Sequence, residues 1–408
     1  MSVQQRNLNG SSEIYKKISK FVPENEWKVH APLIEKINKL KKEKNAIILA
    51  HNYQTPEIYH GVADIAADSL ALAVEAAKTS ADKIIMCGVH FMAETAKLMN
   101  PNKKVFLPDM QAGCSLASSI TGKDVRLLKQ KYPGVPVVSY VNTSADVKAE
   151  TDVCCTSANA VKVVESLNVE KVIFLPDQYL ADYVAKNTKV KIISWKGTCI
   201  VHEQFTSKEI EDIKNQNPGI KVIAHPECPP DVIEASDFAG STSGMIKYVK
   251  DNQPKKVMLV TECSMSDNVE ADNPNVSFIK PCNLCPYMKK IDLEKILDCL
   301  ENDTNEIILD NKTIEAARKS VIRMTEIGRW SVQKLNQSYI KTVVMKALEE
   351  DLRPRGDITT NLINSKNKII KAKIIAKQDG VIAGLEFCKA AFKLIGRETV
   401  FIKKISDG

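Results

Sequence analysis

Cys114, Cys199 and Cys285 stand 85 and 86 residues apart, and each closes the same stretch of sequence. KIIMCGVHFMAETAKLMNPNKKVFLPDMQAGC ends at Cys114, KVIFLPDQYLADYVAKNTKVKIISWKGTC at Cys199, and KVMLVTECSMSDNVEADNPNVSFIKPCNLC at Cys285. Each copy reads as an apolar strand, an amphipathic segment, a second apolar strand and then the cysteine. Self-similarity at a fixed period signals repeated supersecondary units. It predicts three related units, each delivering one thiolate from an equivalent loop. Arranged about a pseudo-threefold axis, they bring the three sulfurs together. Three converging thiolates suit a metal ion, or an iron–sulfur cluster with one position left open.

A second set of residues repeats in phase. AIILAHNY, PVVSYVN and KVIAHPE are apolar strands that end in polar residues, and they place His51, Tyr140 and His225 at matching points. Tyr53, Asn142 and Glu227 follow two positions later. A hydroxyl comes 17 or 18 residues after each strand end: Ser69 in ADSLALA, Ser157 in TSANAVKVV and Thr242 in STSGMIKYV. Ser or Thr before an apolar helical run is an N-cap signal, and helix N-termini bind anions. One such cap alone is structural. Three in register with three cysteines predict a pocket for a small polyanion.

Between residues 46 and 330, short apolar strands alternate with amphipathic helices, which predicts parallel sheets covered by helices. The expected fold class is α/β, with three three-layer αβα domains of about 85 residues. Their approximate bounds are 46–110 with 286–330, 111–198, and 199–285. Residues 1–45 read as a helical lead-in, and the helix over 313–330 closes the repeat region. Residues 331–337 form a polar linker. Residues 338–408 change pattern, with a helix, a turn-rich RPRGDITTNLI, an alternating strand pair around a DG turn and a short helix. That segment reads as a truncated α+β domain.

Composition excludes several classes. Of the 408 residues, 44% are hydrophobic and 26% charged, ordinary values for a globular protein. No run approaches the length of a membrane helix. The net charge of +7 is spread along Lys-rich helices without interleaved aromatics, which argues against nucleic-acid binding. MSVQQRNLNGSSEIYKK has no apolar signal core, so the expected location is cytoplasmic. The eleven cysteines then belong to a reducing compartment rather than to a disulfide framework. Cys87, Cys154, Cys155, Cys228, Cys299 and Cys388 read as small buried hydrophobes, and Cys263 is ambiguous. CNLC at Cys282–Cys285 lacks the second CxxC of a structural zinc site; Cys285 keeps the repeat phase and Cys282 is its neighbour. Three thiolates around a cluster leave one iron free to act as a Lewis acid. His and Glu at strand ends are natural acid–base groups, placed where open α/β sheets bind ligands. Glu94, Asp182 and Asp267 also recur in phase and are expected to hold the cysteine loops.

Taken together, LAHNYQTPEI, ADSLALA, GVHFMAETAK, SYVNTSADVKAETDVCCTSANAV, FLPDQYLADYVA, KGTCIVHEQF, HPECPPDV, STSGMI and CPYMKKI resemble the quinolinate synthase family over about residues 20–330. The resemblance implies three Rossmann-like αβα domains in pseudo-threefold symmetry around a central 4Fe–4S cluster held by Cys114, Cys199 and Cys285. It implies condensation of iminoaspartate (iminosuccinate) with dihydroxyacetone phosphate to quinolinate, phosphate and water, in NAD biosynthesis. The implied substrate-binding residues are His51, Ser69, Tyr140, Asn142, Ser157, His225, Glu227 and Thr242. The implied catalytic residues are Tyr53, Glu227, His225 and His51, with His202 supporting the cluster or closing the pocket. Residues 338–408, through ALEEDL, RGDITTNLI and AKIIAKQDGVIAGLEFCKAAFKLI, resemble the N-terminal part of quinolinate phosphoribosyltransferase, without its barrel. That implies a functional link to this enzyme and to L-aspartate oxidase, with a tail that is itself inactive. The rival readings are another Fe–S hydro-lyase on a small hydroxy acid, and a non-catalytic Fe–S redox sensor.

Overall fold

A computed structural model of the chain describes residues 11–329, 337–352, 356 and 384–395. The chain divides into two compact units, Met1–Trp330 and Ser331–Gly408.

In the first unit, the strands are β1 (Ala46–His51), β2 (Ile65–Ala67), β3 (Lys83–Cys87), β4 (Lys104–Phe106), β5 (Val137–Tyr140), β6 (Val153–Cys155), β7 (Lys171–Leu175), β8 (Lys191–Ser194), β9 (Lys221–Ala224), β10 (Phe238–Ala239), β11 (Lys256–Val260) and β12 (Ser277–Ile279). They build three parallel four-stranded sheets, ordered β2-β1-β3-β4, β6-β5-β7-β8 and β10-β9-β11-β12. The order is the same each time, so the spacing of the cysteines reflects a repeated topology. Equivalent central pairs set the register, with Leu49 opposite Met86, Ser139 opposite Leu175, and Ile223 opposite Leu259.

Parallel strands are covered by helices on both faces, so they read as continuous apolar runs rather than alternating ones. Ile48, Leu49 and Ala50 of β1, Val137 and Val138 of β5, and Val222, Ile223 and Ala224 of β9 are all buried. In each sheet the first strand lies between the second and third, and the winding reverses beside it. The carboxyl ends of β1, β5 and β9 therefore sit at topological switch points, where open α/β sheets bind ligands.

The lead-in forms helices Ser11–Ile18 and Glu24–Glu43, the second burying Trp27, Ile34 and Ile37. Helix Leu293–Asn302 lies along Glu24–Glu43 and buries Leu293, Ile296, Leu297 and Leu300, the apolar stripe of a core-facing helix. Helix Asn311–Arg329 runs against β6 and its neighbours; Ser320 Oγ bonds the Lys148 carbonyl at 3.0 Å, and Asn159 Nδ2 bonds that of Met324 at 3.2 Å.

In the second unit, helices Gln337–Leu352 and Leu385–Ile395 are in contact. The strand pair and the RGDITT turn expected between them lie outside the described residues. Among the described residues, no helix is long and apolar enough to cross a membrane.

Candidate active site

The carboxyl ends of β1, β5 and β9 open on one cavity. His51, Tyr53 and Ser69 reach it from the first repeat. Tyr140, Asn142 and Ser157 reach it from the second, and His225, Glu227 and Thr242 from the third. Cys114, Cys199 and Cys285 line the same cavity, each from the loop after the last strand of a sheet. Every site residue expected from the sequence therefore meets there.

One expectation is corrected. Ser69 and Thr242 are not the caps of their helices; each is the first helical residue, and Asp68 and Ser241 accept the capping bonds from Ala71 N and Gly244 N. At the third helix the N-cap position is Asn159, two residues after Ser157. A side chain committed to a cap is not free for a ligand. Asp68 and Ser241 take the capping bonds beside Ser69 and Thr242, Asn159 makes no side-chain capping bond, and all three hydroxyls line the cavity.

Two histidines are held alike. The Tyr53 backbone N–H donates to His51 Nδ1 at 3.2 Å, and the Glu227 N–H donates to His225 Nδ1 at 3.3 Å. An accepting Nδ1 leaves the ring proton on Nε2, and His225 Nε2 lies 3.2 Å from Ser157 Oγ. Burial pushes His51 down to about 4 and His225 to about 3, so both rings are neutral donors at pH 7. Because their folded values lie below the unfolded value of 6.5, their contribution to stability is present above pH 6.5. It is lost as pH falls toward the folded values. The melting temperature is expected to drop between pH 6.5 and 5, and His51→Gln should flatten that slope. A flat wild-type profile over this range would contradict the assignment.

Glu227 is the charged centre of the cavity. It accepts hydrogen bonds from Tyr140 Oη and, at 2.9 Å, from His202 Nδ1. Burial alone would raise its pKa; the imidazoles of His225 and His202, with those two donated bonds, outweigh burial and hold it below the carboxylate range. Burial, then the Glu227 charge, push Tyr53 and Tyr140 well above the phenol value. An ionised carboxylate thus shares the site with protonated phenols.

The bonds continue from His202. An ionised Glu227 only accepts, so His202 Nδ1 donates. Thr261 Oγ1 lies 3.0 Å from His202 Nε2 and 2.6 Å from Tyr53 Oη, within hydrogen-bond reach of both. Tyr53 and Glu227 are thereby linked through Thr261 and His202. Thr261 follows β11 and is fully buried; a threonine after an apolar strand carries no sequence signal of such a role. The cavity's apolar wall of Phe91, Tyr287 and Met288 was equally unmarked.

Burial pushes all three repeat cysteines up, Cys114 to about 12, so a thiolate there needs a cation beside it. Among the described residues, one trio has its ligand atoms within 4.8 Å of one another: Cys199, His202 and Glu227. His202 Nδ1, 3.2 Å from Cys199 Sγ and 2.9 Å from Glu227 Oε2, already joins that trio. Cys114, Cys199 and Cys285 form no such trio among the described residues; three thiols that line one cavity from separate loops are a donor set that fits a polynuclear cluster.

Other cysteines fall elsewhere. Cys282 is exposed, outside the cavity, with its sulfur 2.7 Å from that of buried Cys263. Cys87, Cys154, Cys155, Cys228 and Cys299 are buried, whereas Cys388 is only half-buried. Glu94 accepts from the Ala145 backbone N–H rather than from a cysteine loop. Asp267 pairs with Lys280, ahead of the Cys285 loop, and Asp182 is exposed.

Fold and cavity together define a three-lobed αβα protein whose one site draws thiols and acid–base groups from every lobe. The family described as Quinolinate synthetase A protein matches residues 35–326. Quinolinate synthase of Sinorhizobium fredii is 60% identical over 317 residues, covering 78% of this chain and 88% of that protein. Those of Caulobacter vibrioides and Xylella fastidiosa are 56% identical over 321 residues and 60% over 294. These matches cover 78% and 72% of this chain, and 88% and 87% of the relatives. The chain belongs to the quinolinate synthase family. Its residues 357–408 match the family described as Quinolinate phosphoribosyl transferase, N-terminal domain.

Proposed function

We propose that this chain condenses iminoaspartate with dihydroxyacetone phosphate, giving quinolinate, inorganic phosphate and water. The observation that carries this reading is the meeting of three cysteines with His51, Tyr53, His225 and Glu227 in one cavity. Cys114, Cys199 and Cys285 are the residues that would hold a 4Fe–4S cluster; three soft thiols from three loops are a suitable donor set. Bound there with one iron lacking a cysteine, the cluster supplies a Lewis acid for a substrate oxygen.

The chain's own residues do the rest. Ser69, Asn142, Ser157 and Thr242 bind carboxylate or phosphate oxygens, aided by nearby helix N-termini. The neutral Nε2–H groups of His51 and His225 orient the substrate. Glu227, ionised at rest, removes a proton from the enolisable carbon. Tyr53, protonated at rest, donates to the departing hydroxyl, and the Thr261–His202 path connects the two groups. Cavity walls from all three lobes limit water around the intermediate.

Quinolinate is also the compound that the tail's family acts on by name. For these 408 residues the expected product is quinolinate, because the tail's match is to the N-terminal domain of that family. Incubated without oxygen with both substrates, magnesium and phosphoribosyl diphosphate, the chain is expected to accumulate quinolinate and no nicotinate mononucleotide. Deleting residues 334–408 should leave the rate of quinolinate formation within about twofold, since the residues lining the cavity run no further along the chain than Met288. Enzyme-dependent nucleotide would overturn the reading of the tail. Dehydration of a single hydroxy acid, with no need for the phosphate ester, would overturn that of the cavity.

A further inference from the structure

The turn that carries Tyr53 is held from outside the cavity. Its three backbone carbonyls, those of Asn52, Tyr53 and Gln54, are all gripped by side chains from the third repeat or just after it. Asn268 Nδ2 bonds the Asn52 and Gln54 carbonyls at 3.2 and 2.7 Å. Lys289 Nζ bonds the Tyr53 carbonyl at 2.8 Å. The other two Lys289 donors go to Ser264 Oγ at 2.6 Å and Glu262 Oε1 at 3.0 Å, so the ammonium is fully used. Glu262 is fully buried and also accepts from the Ser264 and Cys285 backbone N–H groups, at 2.9 and 3.4 Å. The Lys289 backbone N–H in turn bonds the Cys285 carbonyl at 3.2 Å. Neither Lys289, Glu262 nor Asn268 lines the cavity.

We propose that Lys289, anchored by Glu262 and assisted by Asn268, is a positioning residue that fixes the Tyr53 hydroxyl relative to the loop of the third cysteine. One residue holds both: its backbone the cysteine loop, its side chain the tyrosine turn. A buried carboxylate orients the ammonium, and the ammonium fixes the carbonyl of the residue that carries the phenol, Tyr53 itself. A misplacement of about 1 Å costs on the order of a hundredfold in rate. The inference rests on the acid–base reading of Tyr53 given above.

The test uses the cluster-loaded full chain, handled without oxygen. Lys289→Met/Glu262→Gln removes both charges together, since removing one alone strands the other in the interior. Asn268→Ala loosens the same turn without touching either charge. Both variants are expected to keep their iron and a cooperative melt. They should lose about tenfold to a hundredfold in kcat, with KM changed by less than about threefold. In a Tyr53→Phe background, the same changes should cost under about threefold, because the hydroxyl they aim is already gone. Full multiplicative losses in that background, loss of iron, or wild-type kcat in both variants would overturn the inference while leaving Tyr53 in its role. Wild-type kcat in Tyr53→Phe itself would remove Tyr53 from the chemistry, and the positioning role falls with it.

Discussion

Replacing Cys114, Cys199 or Cys285 with serine is expected to abolish the absorption near about 400 nm that marks an Fe–S centre. Each of these cysteines lines the cavity from its own loop, after β4, β8 and β12. No spare thiol replaces one that is lost, because Cys282, the nearest in sequence to any of them, stands outside the cavity against Cys263. A serine hydroxyl at neutral pH is not an anionic sulfur donor, so the loss should be all or none. Cys282→Ser is expected to keep most of the absorption. Spectra of the four variants, purified without oxygen, decide the matter; a colourless Cys282→Ser beside a normal Cys285→Ser would move the third ligand.

Glu227→Gln is expected to retain the cluster and substrate binding but to lose about 10²–10⁴ in turnover, the usual cost of removing a positioned acid–base group. The change is nearly isosteric. Gln keeps one oxygen, enough for either the Tyr140 bond at Oε1 or the His202 bond at Oε2 but not both, and it cannot take up a proton. Tyr53→Phe should be slowed less, since the His51 and His225 N–H groups and solvent offer partial substitutes. Single-turnover and steady-state rates, normalised to iron content, separate chemistry from loading. Wild-type turnover in Glu227→Gln would strike it from the catalytic residues.

The sequence carries most of this site because the site is repeated. Cys114, Cys199 and Cys285 share a period, and the strand-end residues His51, Tyr140 and His225 share it too; a threefold arrangement of equivalent strand ends must bring them together. What breaks the repeat is hidden. Thr261 and Lys289 act through contacts made across more than 200 residues, to Tyr53, and no local pattern encodes them. The hydroxyls Ser69, Ser157 and Thr242 were legible as helix starts but not as cavity groups relieved of capping. That distinction depends on whether Asp68, Asn159 or Ser241 takes the cap position. Helix Asn311–Arg329 was legible from its apolar stripe, whereas its seat against β6 is a tertiary choice that amphipathic pattern alone leaves open.

The most direct test takes one preparation of the full chain, purified without oxygen, and measures iron, sulfide, quinolinate and phosphate together. With iminoaspartate and dihydroxyacetone phosphate supplied, the prediction is about four iron and four sulfide per active chain. Quinolinate and phosphate should then appear in equal amounts, and both should cease when the cluster is stripped. A chain with its full complement of iron that releases no phosphate and forms no quinolinate would contradict the account.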